Sequence, residues 1–175
     1  MKINNILLTS DATGGSPPLA DDTNLMEGYE PGTPLIDPGS YPMKIVKTEV
    51  SLKDGVTNAA HTIKITLSNT EVVRSIKGDI LQPGEATVFT QVNTVPTGKS
   101  TPKFIKDGVA YILQAATVPG LHSVQTFQQN HGLLVGVTVY VKLETMPART
   151  NPTTGQRYEA STGVAKWWKR GEMPS

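Results

Sequence analysis

Between Tyr140 and Arg170, aromatic and cationic side chains are interleaved: Tyr140, Lys142, Arg149, Arg157, Tyr158, Lys166, Trp167, Trp168, Lys169 and Arg170, against two carboxylates, Glu144 and Glu159. Both tryptophans of the chain stand here, side by side. Cations neutralise phosphates and flat rings give unpaired bases a stacking surface, so the mixture suits a single-stranded nucleic acid. The same residues would also serve a plain β-hairpin with core aromatics and a solvated basic face. On the first reading Tyr140, Tyr158, Trp167 and Trp168 stack on bases. Lys142, Arg149, Arg157, Lys166, Lys169 and Arg170 then meet phosphates. Neighbours in a strand point to opposite faces, so one tryptophan is expected in the core. Trp168, in phase with Lys166 and Val164, is favoured for the groove.

Other chemistries find little support. Thr97-Gly98-Lys99-Ser100 hints at a phosphate loop, but G-x-x-x-x-G-K-[ST] needs a first glycine where Asn93 stands, and Pro96 and Pro102 intrude. His61, His122 and His131 lack the close spacing of a helical metal pair. No G-x-S-x-G elbow and no paired carboxylates are present. The expectation is a non-enzymatic protein with no catalytic residues, no metal and no cofactor.

The elements that must hold the cluster are short and turn-rich. The 175 residues include 16 glycines and 13 prolines but no cysteine, which excludes disulfides and thiolate metal sites. The N-terminal apolar run is too short for a secretory signal, and no segment approaches the roughly 20 apolar residues of a membrane helix. A soluble, cytoplasmic protein, with no membrane partner, is expected. Net charge is +1 overall but unevenly spread: residues 1–40 carry six acids against Lys2. The remainder is basic, a polarity that points to a polyanionic partner.

Residues 1–40 read as an acidic arm rich in Gly and Pro, with few aliphatics to build a core. The β-rich run from Tyr41 ends at the Asp54-Gly55 turn signal. In HTIKITL, His61, Ile63, Ile65 and Leu67 alternate with polar residues, as in a half-buried strand. Glu71–Ile80 and Ala86–Val92 are further strand candidates. Thr101 as N-cap and Pro102 at the first helical position open a helix that Pro119-Gly120 stops. Its apolar face is Ile105, Val109, Ile112, Leu113 and Ala116, and a short second helix is suggested near Ser123–Gln129. Leu133, Val135, Val137, Val139, Val141 and Leu143 then read as one unbroken apolar strand face. A return strand, Gln156–Trp168, completes a hairpin that would gather Tyr140, Lys142, Arg157, Tyr158 and the tryptophans.

Two blocks carry a family likeness. Gly39-Ser40-Tyr41-Pro42-Met43-Lys44-Ile45 with Glu49 resembles the G-x-Y-x-x-x-I-x-x-x-E opening strand of phage-encoded single-stranded DNA-binding proteins of replication and recombination modules. Leu134 to Glu144 resembles their L-x-G-x-x-V-x-V-x-x-E strand, and the blocks keep their order across about residues 35–170. The resemblance implies a mainly β fold: a small OB-like β-barrel over residues 41–170 with one main helix, behind the arm and before a short tail, 171–175. It implies single-stranded DNA, or RNA, as partner, bound with little sequence preference. Replication or recombination proteins are further implied partners, and a homo-oligomer is compatible with it. Such proteins often end in an acidic tail, whereas this chain ends Trp167-Trp168-Lys169-Arg170. The rival expectation is a virion component, a β-sandwich for capsid decoration or a tail, whose arm crosses a neighbouring subunit.

Overall fold

A computed structural model describes residues 33–51, 62–96 and 101–172. Most of the acidic arm, the Asp54-Gly55 turn, His61, the Thr97–Ser100 loop and the last three residues lie outside the described residues. The fold is mainly β. Its centre is one five-stranded antiparallel sheet made of β1 (Gly39–Ser51), β2 (Thr62–Asn69), β5 (Thr87–Asn93), β6 (Thr138–Met146) and β9 (Ser161–Trp167), in the order β5-β2-β1-β6-β9. Two small ribbons project from it, β3 (Val73–Arg74) with β4 (Ile80–Leu81) and β7 (Arg149–Thr150) with β8 (Arg157–Tyr158). The Glu71–Ile80 segment therefore supplies one arm of a tight ribbon, turned at Gly78 with φ of 96°, in place of a full strand.

The sheet curls. Its two end strands, β5 and β9, bring Cα atoms within 8 Å of each other, although no ladder joins them among the described residues. The apolar sides of β1, β2, β5 and β6 turn inward: Met43, Ile45, Ile63, Ile65, Leu67, Val88, Val139, Val141 and Leu143 are all buried, and Val164 and Trp167 of β9 pack half-buried against them. Helix α1 (Pro102–Ala116) covers this core with Ile105, Val109, Ile112, Ala115 and Ala116. The Thr101 hydroxyl accepts from the Phe104 N–H at 3.1 Å, and Pro102 occupies the first turn, as the cap pattern predicts. The helix ends with Thr117 in the left-handed region, φ 49°, its N–H on the Leu113 carbonyl. Helix α2 (Val124–Asn130) starts in a Ser123–Thr126 capping box and buries Phe127.

Three departures from the sequence expectations share a cause, the interruption of strand alternation. The strand read from Leu133 starts only at Thr138, because Gly136 adopts φ of 95° and residues 131–134 form a 3-10 turn. Leu134 is consequently buried, while Leu133 and Val135 are exposed. In β1, a bulge at Val46 shifts the register between Ile45 and Lys47. In β9, Ala165 is the extra residue where the pairing moves from Lys142↔Lys166 to Leu143↔Val164. Each bulge reverses which face the following side chains occupy.

The body also begins earlier than residue 41. Ile36 is fully buried, its N–H donating to the Thr162 hydroxyl at 2.9 Å. Leu35 and Asp37 exchange backbone bonds with Ile76 and Arg74. Residues 33–40, assigned to the arm from their Gly/Pro content, are thus a packed part of the fold, and the compact unit spans Thr33–Ser175.

Candidate nucleic-acid interface

The outward side of the sheet carries the chemistry. Where inward residues are buried aliphatics, the alternating outward ones on β6 are Thr138, Tyr140, Lys142 and Glu144. Lys142 stands opposite both Ser40 of β1 and Lys166 of β9. The Lys166 ammonium lies 3.8 Å from the centroid of the Trp168 ring. The Trp168 indole Nε1 donates to the Ser40 hydroxyl at 3.0 Å, and its backbone N–H donates to the Tyr140 carbonyl. Tyr140, Lys142, Lys166 and Trp168 therefore form one group on one face.

The two tryptophans separate as neighbours in a strand should. Trp167 pairs opposite Val141 and packs half-buried against the core, while Trp168 emerges on the outer face. Because of the bulge at Ala165, Val164 pairs with inward Leu143, so Trp168 shares its face with Lys166 only.

The other predicted residues go elsewhere. Arg149, Arg157 and Tyr158 sit on the β7–β8 ribbon beyond Met146. At about 3.4 Å per residue, the four to six positions from Met146 back to Lys142 and Tyr140 put that ribbon roughly 14–20 Å from the outer-face group. The hairpin thus does not gather them with Tyr140 and Lys142. Within the ribbon, the Arg149 guanidinium lies 5.1 Å from the Tyr158 ring centroid, and Arg157 pairs with Glu159 at 3.1 Å. Lys169 is exposed and 4.0 Å from Glu172.

Arg170 departs most from its expected role. Its guanidinium donates to the carbonyls of Ala116 and Thr138, each at 3.2 Å, and its N–H donates to the Gln114 carbonyl. α1 has no basic residue in its own last turn, so Arg170 supplies from a distant part of the chain the cation that a helix C-terminus attracts. It fastens the C-terminal segment to the helix through one guanidinium nitrogen and its backbone N–H.

Four residues that the sequence reading left out join the outer face. On β5, Val88 points inward and Phe89 outward, with 47% of the ring residue exposed. Lys64 of β2 places its ammonium 4.4 Å from the Phe89 ring centroid. Lys44 and Lys47 stand exposed on β1, with Lys44 between Ser68 of β2 and Thr138 of β6. The usable signal was an aromatic on the polar side of an alternating strand, Thr87-Val88-Phe89-Thr90-Gln91. Two ring–cation pairs, at the two ends of the sheet, are thus linked through Lys44, Lys47 and Lys142. Four strand spacings of about 4.8 Å make that arc roughly 19 Å. Lys47 and Lys142 are paired with Glu49 and Glu144 at 3.2 and 3.3 Å, both with half-exposed side chains. Such solvated pairs are weak and yield readily to a phosphate.

Titration adds little to this face. The Tyr41 phenol is pushed above its ordinary value by burial and by the nearby Asp37 carboxylate, and donates to the Asp37 carbonyl at 2.7 Å. Lys103 on α1 is raised by its hydrogen bond to Asp107. Among the described residues, no three His, Cys, Asp or Glu side chains are placed to hold a metal ion, and no helix is long and apolar enough to cross a membrane. No protein-family model matches the chain, and no curated protein is similar enough to count as a relative.

Proposed function

We propose that this chain is a single-stranded nucleic-acid-binding protein of OB-like build that holds its ligand across the outer face of the curled sheet. The observation that carries the reading is the pair of ring–cation contacts, Lys64 on Phe89 and Lys166 on Trp168, with three more lysines between them. Stacking on such rings contributes about 1–3 kcal/mol per base, and the lysines add a salt-sensitive term for the phosphates. The topology supports the same reading. Counted in chain order, the five long strands run third, second, first, fourth, fifth across the sheet. The main helix falls between the third and fourth, and the third and fifth approach each other. Such an order supports a partly open five-stranded Greek-key barrel, an architecture whose second and third strands offer the binding face. Here those strands carry Lys64 and Phe89.

The test is a fluorescence titration with oligo-dT and with a duplex of equal length, at two salt concentrations. Single strands should bind more tightly, quench tryptophan emission and weaken as salt rises. Phe89→Ala should weaken binding about 5- to 150-fold, the range that stacking energies imply. Equal affinity for duplex and single strand, or an unaffected Phe89→Ala variant, would remove the stacking argument. A virion shell component should show no quenching with oligo-dT at all.

A further inference from the structure

Away from the outer face, a cleft of about 420 Å³ opens at the seam between β5, α1 and β9. Phe104 and Tyr111 of α1 line one wall, Trp167 of β9 another, and residues 90–93 of β5 a third. Phe104 and Tyr111 are seven residues apart, two turns along one helix face, and are 64% and 56% exposed. Rings this exposed contribute little to the core, so packing does not account for them. Between them, on the same face, stands Gly108, where an added Cβ would meet Val92 Cγ2 at 3.4 Å. Glycine weakens a helix interior relative to alanine, and its missing side chain keeps the floor of this cleft open. β5 is an end strand, so alternate backbone N–H and C=O groups along 90–92 turn away from β2 toward the seam.

We propose that the seam cleft takes a single planar heteroaromatic ring, a nucleobase, stacked on the Phe104, Tyr111 and Trp167 side chains and hydrogen-bonded at its edge by the β5 backbone. The volume lies at the lower end of small-molecule pockets, about 300–1,000 Å³. No charged side chain lines it, which leaves a phosphate outside in solvent. An added peptide strand fits less well: pairing on both sides needs about 9.6 Å between β5 and β9, and their Cα atoms come within 8 Å. A base of the bound strand and the base of a free nucleotide offer the same chemistry. The strand version rests on the outer-face reading above.

The experiment uses Trp168→Phe, which leaves Trp167 as the only tryptophan, and in the same background the double variant Phe104→Ala/Tyr111→Ala. Both truncated rings are exposed, and thermal melts confirm that the double variant folds. Each protein is titrated with oligo-dT, with an abasic oligonucleotide of equal length and charge, and with thymidine monophosphate. Oligo-dT should quench Trp167 while the abasic strand binds without quenching it. The double variant should lose about tenfold in preference for oligo-dT over the abasic strand, with its salt dependence unchanged. Quenching by the mononucleotide at comparable concentration would assign the cleft to free nucleotides. Unchanged Trp167 emission together with undiminished preference in the double variant would overturn the cleft and leave the outer face standing. If neither oligonucleotide binds the wild-type protein, whose Trp168 is intact, the outer-face reading fails. The cleft then stands if the mononucleotide quenches Trp167, and falls if it does not. Quenching by a short Thr-Val-Thr-Val peptide and by no nucleotide would make the seam a peptide site and overturn the proposal.

Discussion

Asn69 is the residue whose loss should be felt most through polar contacts alone. It ends β2, is 3% exposed, and holds the excursion that carries the chain through β3 and β4 to the start of β5. Its Nδ2 donates to the carbonyls of Glu71 at 2.7 Å and Gln82 at 2.9 Å. Its Oδ1 accepts from the N–H groups of Gly84 at 3.0 Å and Ala86 at 2.9 Å. In Asn69→Ala, the Glu71, Gln82 and Gly84 groups lie in exposed residues and turn to water, each bond costing about 0.5–1.5 kcal/mol net. The Ala86 N–H is different. Ala86 is fully buried, and an unsatisfied buried donor costs about 1–3 kcal/mol. Because neighbouring contributions are not additive, about 3–4 kcal/mol is the expected loss. For a chain of this size that lowers Tm by roughly 6–16 °C, at about 2–4 °C per kcal/mol. Urea denaturation with an unchanged m-value gives the free energy directly. Asn69 also decides where β5 begins, and hence that Phe89 lies opposite Thr66 and beside Lys64. The variant should therefore weaken oligonucleotide binding as well as folding. A loss below about 1 kcal/mol would show that water replaces the amide, and would refute this account of the loop.

The adjacent tryptophans should part company. Trp167→Ala removes a half-buried ring from the core edge and should cost about 2 kcal/mol, below the 3–5 of a fully buried one, whereas Trp168→Ala should cost about 1 kcal/mol through the Ser40 bond yet weaken single-strand binding at least fivefold; melts and titrations of both decide it, and unaltered affinity in Trp168→Ala counts against the outer face. Tyr41 has a raised folded pKa, so its contribution to stability is fully present below about pH 10 and is lost as pH climbs through the folded value. Tyr41→Phe should be about 1 kcal/mol less stable at neutral pH and should lack that alkaline decline, and a parallel decline in both proteins would exclude Tyr41 as its source. Residues 1–32 hold five acids against Lys2, so removing them takes net charge from +1 to +5. Deletion should raise affinity for oligo-dT at low salt, with the gain vanishing as screening increases, and a gain that persists at high salt would rule out charge as its cause.

How far the residues alone reveal this architecture depends on the range of the signal. The helix was readable to within a residue or two because its determinants are local: Thr101 caps it, Pro102 suits its first turn, and the apolar residues recur at helical spacing. Alternation along Ile63, Ile65 and Leu67 also marked β2 as a strand, but not its burial. Thr62, Thr66 and Ser68 on the opposite face, covered by the neighbouring strands' side chains, are buried as well and correct the half-buried expectation. Local signals also sufficed to set Trp167 and Trp168 on opposite sides of a strand. They failed where one residue resets the phase. Nothing in Lys44-Ile45-Val46-Lys47 or Val164-Ala165-Lys166 announces a bulge, since the extra residue exists only relative to a partner strand. Gly136 was in plain view, but the left-handed turn it makes depends on its N–H reaching the Ile45 carbonyl at 2.7 Å.

Residue types between Tyr140 and Arg170 were enough to mark aromatic and basic chemistry, because stacking and phosphate neutralisation follow from side-chain structure alone. Which of those groups act together is a tertiary matter. Pairing of β6 with β1 and β9 brings Lys142, Lys166 and Trp168 onto one face and carries Arg149, Arg157 and Tyr158 away on a ribbon. Packing of the C-terminal segment on α1 turns Arg170 from a free cation into a cap for helix carbonyls. Curling of the sheet adds Lys64 and Phe89, 53 to 104 residues earlier in the chain than Lys142 and Trp168, to the same outer surface. The side chains themselves set what chemistry was available; strand register, a property of pairs of segments and never of one, decided which of them share one face.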